Sequence, residues 1–390
     1  MKTGREFSII VEDVGKEGDS NNMNNSKNNP AVSAAGAYSL PGVLRCAGGF
    51  VAWVIGSGFA TGQEVLQFFT SYGYASYAIV AINLIGFLVV GTMLLTTGRR
   101  HAEEEGFEQF VHYCGPKLGK FYSWLIPITL VPVMSVLISG SGATLSEYYG
   151  VNHYVGAAIM ACMILVSYFI GFNRLVKVLS FIGPSIIAFC LLVGGMTVLR
   201  DMGSFSQVPQ YEAALAASRS SAHWLISAIL YVSYNFLCGS VYYTQLGKTT
   251  ASVKEARMGA ILGAVLLMGA IMVINTGILL NGGDTASLAI PNLYLAKKIS
   301  WLLGAVFSVF LVLGIFSACS AMMWTVCTKI SLGDEKKDRF LAVGVAAGTF
   351  LLGLLSFSDL IGMFYPVIGY CGLVYLGCVV YKKIKEKKEC

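Results

Sequence analysis

The sequence has little charge and lacks the motifs of the common enzyme classes. Asp, Glu, Lys and Arg make up 12% of its 390 residues, whereas an average soluble domain has about 25%. Its four histidines, His101, His112, His153 and His223, show no HExxH or histidine–carboxylate spacing that would hold a metal. The phosphate-binding pattern GxxxxGK followed by Ser or Thr is also absent. We therefore expect no enzymatic activity, no organic cofactor and no catalytic metal.

The sequence also gives no indication of disulfides, zinc or a signal peptide. None of the ten cysteines forms a CxxC pair, and most lie in apolar segments, which is typical of buried free thiols. The first forty residues have no apolar core of the signal-peptide type, and residues 21–29 include six asparagines. A segment of this composition cannot bury enough apolar surface to fold. We predict that residues 1–40 are a disordered tail.

Apolar residues are abundant, at 55% of the chain. A membrane-spanning helix needs about 20 consecutive, mostly apolar residues. Ten such segments can be placed, at approximately residues 43–69, 75–97, 119–145, 154–172, 175–199, 222–246, 256–281, 301–329, 340–356 and 358–381. We predict an all-α polytopic membrane protein with ten transmembrane helices in residues 41–381, followed by a basic tail at 382–390.

The distribution of Lys and Arg predicts the orientation of these helices. With the N-terminus in the cytoplasm, all but four of the 27 Lys and Arg residues lie on the cytoplasmic side, the exceptions being Arg200, Arg219, Lys297 and Lys298. Positive charge is enriched in cytoplasmic loops, so both termini are predicted to be cytoplasmic. The net charge of +6 is explained by this topology and by contact with anionic membrane lipid, and we expect no nucleic-acid partner.

Two of the predicted spans have polar interruptions at corresponding positions of a five-plus-five arrangement. In the first span the run GSGFATGQE, residues 56–64, places Ser57 between two glycines, which weakens a helix where lipid cannot satisfy the backbone. In the sixth span the run SYNF, residues 233–236, is similarly polar. Paired breaks of this kind line midplane binding sites in secondary transporters. We predict broken first and sixth helices, with repeats at residues 41–200 and 222–381.

Glu64 is the carboxylate set deepest in any predicted span. An ionised carboxylate is costly inside a membrane, so it must face water, pair with a cation or be protonated. Three roles stay open: a contact at an outer gate, a proton-coupling group, or a contact to a cationic group of a solute. The structural alternative is a carboxylate held by neighbouring helices, through Gln63 or Asn83.

The aromatic and polar residues of the sixth span predict the walls of the site. Aromatic rings at this depth can close over a bound solute, although rings at helical spacing more often form ordinary packing. The candidate wall residues are Tyr231, Ser233, Tyr234, Asn235 and Phe236 in the sixth span, with Met134 and Ser135 in the third.

The segment GSGFATGQEVLQFF resembles the signature of the YkvI-like bacterial membrane proteins, which belong with the amino acid, polyamine and organocation transporters of the LeuT-type fold. The segment FNRLVKVLSFIGP, residues 172–184, is similar to the start of the fifth helix in sodium-coupled neurotransmitter-type symporters. These resemblances imply two inverted five-helix repeats, alternating access around a central site, and a location in the bacterial cell membrane.

The resemblance also implies particular site residues. It places the backbone amides of Ser57 and Gly58 towards the solute, with Gly56 and Phe59 beside them, where helix N-termini favour a carboxylate. One departure is at the third span, where Val133 and Met134 replace a tyrosine that binds the solute carboxylate in the neurotransmitter-type symporters. Close helix packing through small residues is the alternative for the Gly-Ser-Gly run.

For a coupling sodium ion, the resemblance implies the carbonyl oxygens of Ala52 and Ile55 together with hydroxyls of the eighth span. Here Ser317 and Ser320 lie on one helical face, whereas the symporters have two adjacent hydroxyl residues. The alternative for both serines is hydrogen bonding between helices. Protons moved through Glu64 or Lys177 are the competing driving force, so Na⁺ and H⁺ both remain candidates.

One outer segment has the pattern of a covering hairpin. Residues 282–300 include AIPNLYLA, an apolar run interrupted by Pro291. The segment is predicted either to fold over an outer vestibule as a lid or to lie in the membrane interface as an anchor.

Together these features predict a secondary active transporter of a small polar or zwitterionic organic solute, an amino-acid-like one included. The alternative is a sensor or germinant-type receptor that uses the same ligand site without transport. Flux into sealed vesicles distinguishes the two, because only a carrier accumulates solute.

Overall fold

The computed structural model describes residues 38–54, 57–104, 106–170, 173–331 and 335–389, and these residues are all-helical. Residues 1–37, which make up most of the predicted polar tail, lie outside the described residues. The α-helices of the described residues are α1 Leu40–Val54, α2 Ser57–Thr61, α3 Gln63–Phe68, α4 Ala75–Arg100, α5 Gln109–Tyr149, α6 His153–Ile170, α7 Asn173–Asp201, α8 Glu212–Ala216, α9 Trp224–Lys248, α10 Val253–Leu280, α11 Gly282–Thr285, α12 Pro291–Ile299, α13 Trp301–Ser331, α14 Glu335–Leu352 and α15 Phe357–Glu389.

Eight helices of the described residues are long and apolar enough to cross a membrane. They correspond to the predicted spans two to eight and ten. The first predicted span is divided among α1, α2 and α3, and the ninth corresponds to α14, an 18-residue helix whose first five residues are all charged. The multi-pass membrane class is therefore confirmed, whereas the count of ten spans and the inverted repeat stay predictions. The predicted basic tail continues α15 as helix to Glu389.

The predicted break in the sixth span is wrong. Helix α9 runs without interruption through the SYNF segment. The polar side chains there find partners without unwinding the helix: Asn235 Nδ2 donates to the Tyr231 carbonyl at 2.9 Å, and Ser233 Oγ donates to the Gly369 carbonyl of α15 at 2.7 Å. Because these side chains are satisfied by carbonyl oxygens, the backbone ladder of α9 has no reason to open.

Helix α9 occupies the centre of the molecule, between α4 and α15, and α10 packs against α1 and α4. Glycines allow α4 and α9 to approach closely. A Cβ at Gly98 would overlap the Thr244 carbonyl oxygen, and a Cβ at Gly247 would overlap the Leu95 carbonyl oxygen. This reciprocal contact of two helix backbones is the small-residue packing typical of membrane helices.

We predict that Gly247→Ala destabilises the protein, because the added Cβ has no space against α4. The loss should be about 1–3 kcal/mol, the usual effect of overpacking. Gly269→Ala is the matched control, since a Cβ at this helical position on α10 has no atom within 4 Å. The measurement is the thermal midpoint of each purified protein in detergent. Equal midpoints for the two variants would contradict the close contact of α4 and α9.

Candidate functional site

The first predicted span is interrupted in the described residues at Gly62. Gly62 has φ 84° and ψ −8°, a left-handed conformation that ends α2 and starts α3 on a new axis. Thr61 Oγ1 donates to the Gly58 carbonyl at 2.8 Å and accepts from the Gln63 amide at 3.3 Å, which satisfies polar groups at this junction. Ile55 and Gly56, where the sequence predicts the break, lie outside the described residues between α1 and α2.

The turn at Gly62 brings Glu64 back over α2. A Cβ at Gly58 would lie 2.5 Å from Glu64 Oε2 and 3.4 Å from the Tyr365 hydroxyl, so both oxygens occupy the space above Gly58. Glu64 is 4% exposed. Within the described part of the chain, no Lys, Arg or His lies within salt-bridge distance of its carboxylate, and neither Gln63 nor Asn83 hydrogen-bonds to it. The structural role predicted for those two amides is therefore not observed.

Aromatic rings from three helices surround this carboxylate. Tyr231 and Tyr234 of α9 meet edge to face with ring centroids 5.5 Å apart, and Tyr234 lies 5.0 Å from Tyr365 of α15. Phe68 of α3 packs on both α9 tyrosines at 5.5–5.6 Å. The hydroxyls of Tyr231 and Tyr365 lie close to the Glu64 carboxyl group. We call Gly58, Glu64, Tyr231, Tyr234 and Tyr365 the Glu64 cluster.

Several polar atoms at and around the cluster are buried without a hydrogen bond in the described structure. They are the hydroxyls of Tyr231 and Tyr234 and the amide oxygens of Gln63 and Gln67. Tyr231 is 0% exposed, and its hydroxyl lies beside the Glu64 carboxyl group. An unsatisfied buried polar group costs about 1–3 kcal/mol. Buried polar groups without a partner in the protein call for one, such as a polar ligand or water.

The segment predicted as lid or anchor lies over the turn between α2 and α3. Asn292 of α12 donates its Nδ2 to the Ala60 carbonyl at 3.0 Å, and a Cβ at Gly62 would lie 2.7 Å from Asn292 Oδ1. The other end of α12 is held by Lys298, whose Nζ lies 2.5 Å from Asn281 Oδ1 and 3.7 Å from Asp201 Oδ2. Helix α12 therefore covers the turn between α2 and α3, and its role as a lid stays a prediction.

Some predicted site residues are brought together and others are not. Gly58, Glu64, Tyr231 and Tyr234 meet in the cluster, and α2 begins at Ser57, whose side chain lies outside the described part. The other predicted residues make structural contacts. Phe59 and Met134 are fully buried, and Phe236 packs on Phe87 and Tyr243. The side chains of Ser233, Asn235 and Ser135 each donate a hydrogen bond to a backbone carbonyl, in α15, α9 and α5 respectively.

The residues predicted for a sodium site are in varied surroundings. Ala52 lies on an exposed stripe of α1, and Ser317 of α13 is half-buried. Ser320 Oγ lies 3.2 Å from Ser167 Oγ of α6, which is the interhelical hydrogen bond considered as its alternative role. Ile55 lies outside the described residues. The choice between sodium and protons remains a prediction.

Lys177 and the Glu64 cluster are at different depths. Cys190 of α7 lies at the level of α2, since its Sγ donates to the Ala60 carbonyl at 3.8 Å. Lys177 precedes Cys190 by 13 residues in the same helix, which corresponds to about 20 Å along the axis at 1.5 Å per residue. If Lys177 takes part in ion coupling, it therefore does so at a place remote from Glu64.

Sequence reasoning missed Tyr365, Phe68 and Asn292. The tyrosine precedes Pro366 in the last predicted span, and a Tyr-Pro pair inside a membrane helix was the available signal. Phe68 lies one turn after Glu64, and an apolar residue at that position of the sequence indicates only helix packing. Nothing in the segment around Asn292 indicates its contact with Ala60, because the two residues are 232 positions apart in the chain.

Two surface grooves lie away from the cluster. One, of about 600 Å³, runs along α6 between Tyr154 and Val166, and the other, of about 280 Å³, lies between α7 and α10. Their linings are apolar and contain no residue of the Glu64 cluster, which is typical of surface that contacts lipid.

Comparison with solved structures places this arrangement in a known class. The chain is similar to MhsT, solved in complex with L-phenylalanine, with a TM-score of 0.58 and 14% sequence identity, over 84% of this chain and 81% of that one. Together with its eight apolar helices, this likeness makes the chain a multi-pass membrane protein of the LeuT-type fold.

Two proteins of Bacillus subtilis (strain 168) are relatives by sequence. The uncharacterized membrane protein YkvI is 23% identical over 351 residues, 87% of this chain and 96% of its own length. The uncharacterized protein YyaD is 23% identical over 334 residues, 86% of this chain and 95% of its own length. No protein-family model matches the chain.

We predict that Gly62→Ala destabilises the protein more than Gly150→Ala does. Both glycines are left-handed, and alanine costs about 1–2 kcal/mol in that conformation. At Gly150 the added Cβ has no atom within 4 Å, so only this strain remains, whereas at Gly62 it meets Asn292 as well. Thermal midpoints in detergent measure the difference. If the two midpoints fall equally, α12 does not rest on the turn as described.

Proposed function

We propose that the protein is a secondary active transporter of a small polar or zwitterionic organic solute, with amino-acid-like solutes among the candidates. It works by alternating access, driven by sodium or protons, in a bacterial cell membrane with both termini in the cytoplasm. Its similarity to YkvI and YyaD and its GSGFATGQE motif support a place in the YkvI-like group.

The observation that carries this proposal is the interrupted first span with a buried carboxylate beside it that has no basic partner among the described side chains. Irregular backbone at membrane depth is tolerated only where protein or a water-filled cavity surrounds it. Ionisable residues at such places mark solute or ion pathways. The Glu64 cluster combines both features, and the buried Tyr234 hydroxyl in it has no hydrogen bond.

The two halves of the first span have different surroundings, as alternating access requires. The outer half, α2 and α3, is covered by α12 through Asn292. The inner half, α1, packs on α10 and α9 and leaves a stripe exposed that includes Leu44, Arg45, Gly48 and Ala52. The outer half is therefore covered by protein, whereas one face of the inner half is not.

The test is uptake by purified protein in sealed proteoliposomes. The probes are radiolabelled L-phenylalanine, a panel of other amino acids, and simple amines, each measured with an inward sodium gradient, with potassium in its place, and with an inward proton gradient. We expect accumulation of at least one solute above the equilibrium level under one of the two gradients. The gradient that drives it identifies the coupling ion.

Gly58→Leu should abolish this uptake, because a side chain there displaces the Glu64 carboxylate and the Tyr365 hydroxyl. Gly48→Leu is the matched control, a glycine of the same span whose added Cβ has no atom within 4 Å. Ligand binding without accumulation under any gradient would contradict transport and support the sensor. Normal uptake by Gly58→Leu would contradict the location of the site.

A further inference from the structure

We propose that the Glu64 cluster recognises a positively charged amino group, so that the solute is an organic amine whose carboxylate, if it has one, makes no contact with this cluster. This proposal rests on the proposed function for its biological meaning, but binding alone tests it. It selects one of the three roles left open for Glu64 by the sequence, the contact to a cationic group of the solute.

The first argument is the charge at Glu64. The carboxylate is 4% exposed and has no basic partner among the described side chains. A buried charge is stable only when it is paired or hydrogen-bonded. In α7, Lys177 precedes Cys190 by 13 residues, which is about 20 Å along the helix axis. A cationic solute supplies the missing positive charge.

The second argument is the excess of hydrogen-bond acceptors. The unpaired atoms include the amide oxygens of Gln63, which precedes Glu64, and of Gln67, one turn after it, which only accept, and the hydroxyl of Tyr234, which both donates and accepts. The amide nitrogen of Gln67 is already used, since it donates to the Ser358 carbonyl at 2.8 Å. A primary ammonium has three donors and no acceptor, so it fits this surplus better than an anion or a neutral acceptor does.

The third argument is the set of aromatic rings. Phe68, Tyr231, Tyr234 and Tyr365 pack on one another with ring centroids 5.0–5.6 Å apart. Aromatic faces attract cations, and the attraction is larger where water is excluded. Rings and a carboxylate together are therefore complementary to an amine that carries apolar or aromatic bulk.

The position of the Glu64 carboxylate also disfavours a solute carboxylate at α2. Glu64 Oε2 lies 2.5 Å from the point where a Cβ of Gly58 would stand. An anion placed on the Gly58 amide would meet this negative charge at close range, with no basic residue of the described part nearby to offset it. The Glu64 carboxylate therefore occupies the place beside Gly58 where the resemblance implied that the carboxylate of the solute would bind.

The experiment compares four ligands of similar size and different charge on the purified full chain. They are 2-phenylethylamine, the neutral 2-phenylethanol, the anionic 3-phenylpropionate and L-phenylalanine. Thermal shift in detergent, followed by titration calorimetry, measures binding. We expect stabilisation by the amine and none by the alcohol or the carboxylate; a wider series of primary amines, from methylamine to spermidine, is used to find the preferred size.

Variants of the protein test which side chain binds the positively charged amino group. Glu64→Gln should weaken binding of the best amine by about tenfold or more, since a hydrogen bond to a charged group is lost. Glu103→Gln, an exposed glutamate outside the site, is the control and should bind as the native protein does. Tyr234→Phe should bind more tightly than Tyr234→Leu, because the ring is kept. If Glu64→Gln does not fold, the ligand comparison on the native protein decides.

Several outcomes overturn the proposal. These are binding of the alcohol or the carboxylate as tight as that of the amine, no binding by any amine of the series, or unchanged amine affinity in a folded Glu64→Gln protein. A change in the pH dependence of uptake alone, with amine affinity intact, would make Glu64 a proton-coupling group. Amine binding without uptake would leave this proposal standing and contradict only the proposed transport.

Discussion

The burial of one carboxylate is the constraint on which the candidate site depends. Glu64 lies in a part of the chain predicted to cross the membrane, where an ionised group needs a partner that lipid cannot provide. The left-handed turn at Gly62 directs it back over Gly58, and α9 and α15 contribute three tyrosines around it. A site that contains one charge, acceptor oxygens and aromatic faces is incomplete without a cationic or protonated partner.

The same turn connects this site to the lid. Gly62 has no side chain, so Asn292 can reach the Ala60 carbonyl and close the predicted outer side of the first span. Asn292 and Lys298 make the polar contacts at the two ends of α12, and between them Leu293, Leu295 and Ala296 are buried. The turn therefore shapes both the surroundings of Glu64 and the surface on which α12 packs.

Sequence patterns predicted the membrane class, the order of the spans and the importance of the GSGFATGQE run, because apolar length and glycine placement are local properties. They failed at the sixth span. Polar residues in SYNF suggested an unwound helix, yet Ser233 and Asn235 satisfy themselves with carbonyl oxygens while α9 stays intact. Polarity in a membrane helix thus indicates a need for partners, and only the neighbouring helices show whether the backbone must open.

The sequence by itself determined that the chain lies in a membrane and that its first span is interrupted next to a deep carboxylate. The tertiary structure alone decided what surrounds that carboxylate. Tyr365 is 301 positions from Glu64, and Asn292 is 232 positions from Ala60. Helix packing sets such contacts through the shapes of many side chains at once, and no periodicity in one segment records which distant segment lies against it.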